Sequence, residues 1–168
     1  AINDTVREKE HFILYLLYAA VFAMCLISFR SARVALCILL PLVLVTELDH
    51  TLMVQLDIGM KVNTITVVAL GVGIGVDYAL YLLSVQLAQQ RAGVSLRDAY
   101  ASALRFTGKV VLLVGITLAV GVATWAASPI KFQADMGILL AFMFVWNMVG
   151  ALVLIPALSR FLLRPARN

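Results

Sequence analysis

What this sequence has least of is charge. Asp, Glu, Lys and Arg make up 13% of its 168 residues, about half the share of a soluble domain. With 63% hydrophobic residues and a mean hydropathy of +1.02, the chain carries more apolar surface than one soluble core can hide. A multispanning membrane protein is the first reading. Cysteine is also scarce. Cys25 and Cys37 both lie in apolar runs, are too few for a disulfide or metal framework, and read as small buried hydrophobes. The two histidines, His11 and His50, make no Ser/His/Asp or Cys/His arrangement, so no enzyme, cofactor or metal is expected. The net charge of +4 comes from basic residues scattered between hydrophobic runs, which excludes a nucleic-acid surface. There is no initiator Met at Ala1 and no short signal peptide, so a fragment of a longer chain is expected.

What the chain does have is long apolar runs. Spans are predicted over about 11–29, 34–53, 62–88, 109–130 and 136–161, each long enough to cross at 1.5 Å per residue. The second contains Pro41, which kinks a membrane helix and frees a carbonyl. It meets Glu47, Asp49 and His50, which are read as solvated residues at the far interface rather than as metal ligands. Between the third and fourth spans, Ser95 with Asp98 three residues on resembles a capping box. An amphipathic cytoplasmic helix over about 95–106 fits that stretch, and so does a capped extension of the fourth span. The expected fold is an all-α membrane protein, a five-helix transmembrane bundle forming a single domain.

The loops set the orientation. Arg30, Arg33, Arg91, Arg97, Arg105, Lys109, Arg160, Arg164 and Arg167 fall on one side, nine of the 13 Lys and Arg. That side is expected to be cytoplasmic, with the C-terminus inside and the N-terminus outside. An outward-facing polar start suggests that an external domain precedes Ala1.

Within the third span, Leu70 to Tyr81 carries one carboxylate, Asp77, with no other charge between Lys61 and Arg91. A charge there costs roughly 2.5–3.5 kcal/mol on insertion scales and is rarely accidental. On a helix, Asn63, Thr66, Leu70, Gly73, Asp77, Tyr81 and Ser84 lie near one stripe. Gly71, Gly73 and Gly75 are read as removing bulk beside the carboxylate, for helix approach, water or a partner. Their spacing does not match a dinucleotide loop, and no strand precedes it. Asp77 is expected to bind and release a proton. Tyr78 and Tyr81 would supply hydroxyls, and Thr117, at similar depth on the fourth span, is a candidate partner. A purely structural Asp, held by Thr117 or a Tyr, is the alternative.

Gly73-Ile-Gly-Val-Asp77 followed by Tyr78 resembles the motif in the fourth and tenth helices of resistance–nodulation–division (RND) transporters. The likeness is greatest to the hydrophobe exporter branch, which includes the mycobacterial large membrane proteins and bacterial predicted exporters. Ser95 to Gly108, Gly115 to Gly121, and Ala134 to Leu140 with Leu154 to Leu158 resemble the family's connecting helix and following spans. Val76 stands before Asp77, so the paired-Asp pattern of the drug-efflux branch is absent.

The resemblance implies half of an RND-type membrane domain, most like helices eight to twelve. It implies proton-coupled secondary active export of hydrophobic or lipid-like substrates across the bacterial inner membrane, with Asp77 and Tyr78 as the proton relay and Gly73, Gly75, Tyr81 and Thr117 in support. Membrane lipids, protons, the substrate and the other half with its periplasmic domains are the implied partners; a homo-oligomer is left open. Sterol-sensing proteins share the motif, so a lipid-binding or regulatory module without transport is the alternative.

Overall fold

A computed structural model describes the backbone of residues 2–58 and 62–162 and the side chains of 12–58 and 66–162. Asn63 and the tail arginines Arg164 and Arg167 lie outside the described side chains. Among the described residues the chain is helical, with no strand. In order, it runs α1 (Ile2–Phe29), α2 (Ala32–Gln55), α3 (Val62–Arg91), α4 (Leu96–Ala103), α5 (Lys109–Ala123), α6 (Lys131–Val149) and α7 (Ile155–Leu162).

Short helical turns join several of these. A π turn, Leu104–Gly108, links α4 to α5, and a second, Gly150–Leu154, links α6 to α7. A 3₁₀ turn, Thr124–Ala127, closes α5. The stretch from Ser95 is therefore a capped extension of the next span: Leu96–Ala127 is one continuous helix. Ser95 caps its start: the Asp98 amide donates to Ser95 Oγ at 3.2 Å, and the Ser95 hydroxyl, not its backbone amide as in a full capping box, donates to Asp98 Oδ2 at 2.7 Å. Before it, Gly93 takes φ +85°, the left-handed conformation that ends α3. The Val94 amide donates back to the Gln89 carbonyl at 3.1 Å.

Among the described residues, four helical stretches are long and apolar enough to cross a membrane: Phe12–Phe29, Thr66–Arg91, Leu96–Ala127 and Lys131–Leu162. The predicted span over 34–53 is not among them, although α2 is a 24-residue helix. Burial ranks the helices. Half or more of the windows in α3 and α6–α7 are buried, against 11% in α1 and 17% in α4–α5. So α2, α3 and α6 form the centre, and α1 and α5 are edges presenting Phe12, Tyr15, Leu16, Leu113, Ile116 and Val120 outward. Such apolar faces suit lipid.

Glycine sets how close the central helices come. A β-carbon on Gly75 would lie 2.6 Å from both Leu42 of α2 and Asn147 of α6. One on Gly71 would collide with the Met143 side chain. On α5, Gly115 leaves room for Met148 in the same way. Small residues at i and i+4 thus let α3 meet α6. The Asn147 amide donates to the Gly71 carbonyl at 2.8 Å and locks that approach. On the other side of α2, the Tyr18 hydroxyl donates to Thr46 Oγ1 at 2.7 Å, and Thr46 donates to the Leu42 carbonyl at 3.0 Å.

Proline explains a further tie. Pro156 has no amide N–H, so in a regular helix the carbonyl four residues back, Leu152, loses its donor. The π turn lies at that point, and the Tyr100 hydroxyl donates to the Leu152 carbonyl at 2.7 Å. One side chain of α4 thereby anchors the α4–α5 helix to the α6–α7 helix.

Candidate functional site

The three glycines and the carboxylate of α3 divide between two faces. Gly71 and Gly75 face the bundle and are buried. Gly73 and Asp77 face away, and a β-carbon on Gly73 would meet nothing within 4 Å. Residues four apart share a face, so the two pairs are turned from each other by the two-residue offset. The stripe Thr66, Leu70, Gly73, Asp77, Tyr81 and Ser84 is exposed along its whole described length. Of the roles expected for these glycines, Gly75 serves helix approach, making room for Leu42 and Asn147.

Asp77 borders two hollows. The first, about 290 Å³, opens between α3 and α5 and is lined by Asp77, Tyr78 and Tyr81 opposite Val110, Val114 and Leu118. It exists because α3 packs against α4 and the first π turn but diverges from α5 further along. The second, about 410 Å³, lies beside Ser28 and Phe29 of α1, with Asp77, Tyr81 and Ser84 on α3. Tyr78 is buried, 3% exposed, and among the described residues its hydroxyl has no hydrogen-bond partner. Tyr81 is 62% exposed. Asp77, Tyr78 and Tyr81 therefore meet at one cleft. Thr117 does not join them: it is exposed, and its hydroxyl donates to the Leu113 carbonyl of its own helix at 2.8 Å. The wall facing Asp77 is aliphatic.

Chemically, the cleft offers a carboxylate with two phenols and an apolar wall. A carboxyl group that is not ion-paired can take up or release a proton, and a neighbouring phenol can donate a hydrogen bond to its charged form. No group of three or more His, Cys, Asp or Glu that could hold a metal ion is found among the described residues.

Two buried polar groups were not anticipated. Asp49 was read as solvated alongside Glu47 and His50, yet it is 0% exposed, and neither carboxylate oxygen has a hydrogen-bond partner among the described residues. It continues the inner stripe of α2 through Leu42, Val45 and Thr46, whereas Glu47 is exposed. Gln86 of α3 is likewise 0% exposed with its amide unpartnered among the described residues. The signal for Asp49 was its i+4 and i+7 relation to Val45 and Leu42.

The sequence profile of the MMPL family matches residues 1–166. A protein of Methanocaldococcus jannaschii, named only as a membrane protein, is 26% identical over 157 residues, covering 94% of this chain and 40% of that one. A similarly named protein of Streptomyces coelicolor is 37% identical over 94 residues, covering 55% of this chain and 13% of that one. The chain thus spans well under half the length of these relatives.

Proposed function

Because the chain belongs to the MMPL family, we propose that it is half of the membrane domain of a secondary transporter that exports hydrophobic or lipid-like molecules, driven by protons bound at Asp77. The observation that carries this reading is the exposed polar stripe of α3, with Asp77 and Gly73 on the side that the bundle leaves uncovered. A carboxylate turned toward lipid at mid-membrane costs roughly 2.5–3.5 kcal/mol. A protein surface covering that face removes this cost. The other half of the same transporter is that surface, and the greater length of the relatives leaves room for it.

In this reading Tyr78 and Tyr81 steady the carboxylate, and Gly73 lets the facing helix come close. Gain or loss of the proton changes the charge at the contact between halves and so biases their packing. The arginines and Lys109 at the α3–α4 end support a cytoplasmic position for that end in this reading, with the bacterial inner membrane as the membrane crossed. A lipid-binding regulatory module remains the second reading, favoured by the apolar wall opposite Asp77. Asp77→Asn in the full-length protein, assayed in inverted vesicles with an imposed pH gradient, separates the two. Export falling to the no-gradient level is expected. Unchanged gradient-driven movement refutes the proton role.

A further inference from the structure

At the end of the bundle opposite the start of α3, a hollow of about 530 Å³ opens between α4 and α7. It is lined by Leu96, Arg97 and Tyr100 on one side and Pro156, Ser159 and Arg160 on the other. Both arginines are exposed, and among the described residues neither makes an ion pair and no acidic side chain lines the hollow. The nearest acid in sequence, Asp98, holds the Ser95 hydroxyl and is not part of the lining. The two hydroxyls that do line it are already committed as donors. Tyr100 donates to the Leu152 carbonyl, and Ser159 donates to the Pro156 carbonyl at 2.9 Å. What remains to bind a ligand is two guanidinium groups and the first-turn amides of α4 at Leu96 and Arg97, which have no intrahelical acceptor. All of these are hydrogen-bond donors, and all favour negative charge.

We propose that this hollow binds a phosphate group. Arginine presents a planar fork of N–H donors that matches phosphate oxygens in pairs, and two such forks in a niche without an acid hold a net negative ligand. The Tyr100 tie makes the site rigid, because it fixes the helix carrying Arg97 to the helix carrying Arg160. Two sources present the same chemistry: the headgroup of an anionic phospholipid and free phosphate. The niche lies at the basic end of a membrane bundle, and the exposed Phe161 follows Arg160, which suits a headgroup whose acyl chains run alongside. This inference rests on the membrane reading and not on proton coupling at Asp77.

The test uses purified full-length protein. Native mass spectrometry counts retained phosphatidylglycerol against phosphatidylcholine, and melting curves with added inorganic phosphate form the second arm. Arg97→Gln/Arg160→Gln is expected to weaken phosphatidylglycerol retention at least tenfold, whereas Arg105→Gln, off the lining, leaves it unchanged. The charge-conserving pair Arg97→Lys/Arg160→Lys should fall between and guards against misfolding of the first variant. Arginine-dependent stabilisation by inorganic phosphate without phosphatidylglycerol retention assigns the site to free phosphate. Equal retention of the two lipids with no stabilisation by inorganic phosphate, or a glutamine pair indistinguishable from wild type in both arms, overturns the proposal.

Discussion

Tyr100→Phe removes one oxygen atom, and the structure specifies what that should cost. The hydroxyl is the donor to the Leu152 carbonyl at 2.7 Å. In regular α-helical spacing the donor to that carbonyl would be the residue 156 amide, which proline lacks, so the variant removes the hydroxyl that stands in its place. A lost hydrogen bond costs about 0.5–1.5 kcal/mol, and a stranded buried acceptor raises this to about 1–3 kcal/mol. Membrane double-mutant cycles average about 0.6 and reach about 1.7 kcal/mol, so about 1 kcal/mol is the working figure. The discriminating perturbation is the same change in a Pro156→Ala background. Alanine restores an N–H four residues after Leu152, the carbonyl regains a helical donor, and Tyr100→Phe should then cost less than about 0.5 kcal/mol. The assay is reversible unfolding of the full-length protein in detergent, with hydrogen exchange in α4 as a local probe. Equal costs in the two backgrounds would mean that the tyrosine is not standing in for the missing amide.

The remaining predictions concern the two faces of α3 and the unexpected carboxylate. Gly75→Ala should destabilise, since its β-carbon would sit 2.6 Å from Leu42 and Asn147, and overpacking of about 1–3 kcal/mol exceeds the helix-propensity gain of about 1 kcal/mol. Gly73→Ala, with nothing within 4 Å, should stabilise the isolated 168-residue chain by up to about 1 kcal/mol. On the proposed reading it should also lower export by the full-length protein, because a facing half would need that space; thermal midpoints and vesicle export check both. Asp49→Val removes two buried oxygens that lack partners and should leave the melting temperature unchanged or raise it. A clear drop would mean the carboxyl is held by a group outside the described residues.

How far the sequence could be read depends on which physical cue each feature leaves. The apolar runs and the Ser95 cap were enough to locate the helices, since burial and capping act through neighbours in sequence. The rotation of α3 was not legible. Gly71, Gly73 and Gly75 look alike in a string, and only the positions of Met143, Asn147 and Leu42 decide that the outer two glycines face inward and the middle one outward. Asp49 was misread for the same reason. Its neighbours Glu47 and His50 suggested an interface, but two residues turn a helix by about 200°, which carries Asp49 into the core while Glu47 stays outside. Depth matched Thr117 to Asp77, yet depth says nothing of azimuth, and the divergence of α5 sets aliphatic residues opposite the carboxylate. What Pro156 does to its own helix is a local matter; the partner of the Leu152 carbonyl, 52 residues away in sequence, is not.

Counterflow and gradient-driven uptake in proteoliposomes of the full-length protein measure whether protons bound at Asp77 drive export, as proposed. Asp77→Asn should abolish accumulation driven by a pH gradient while gradient-free exchange of substrate across the membrane persists. Gradient-driven accumulation at the wild-type rate in Asp77→Asn would contradict it.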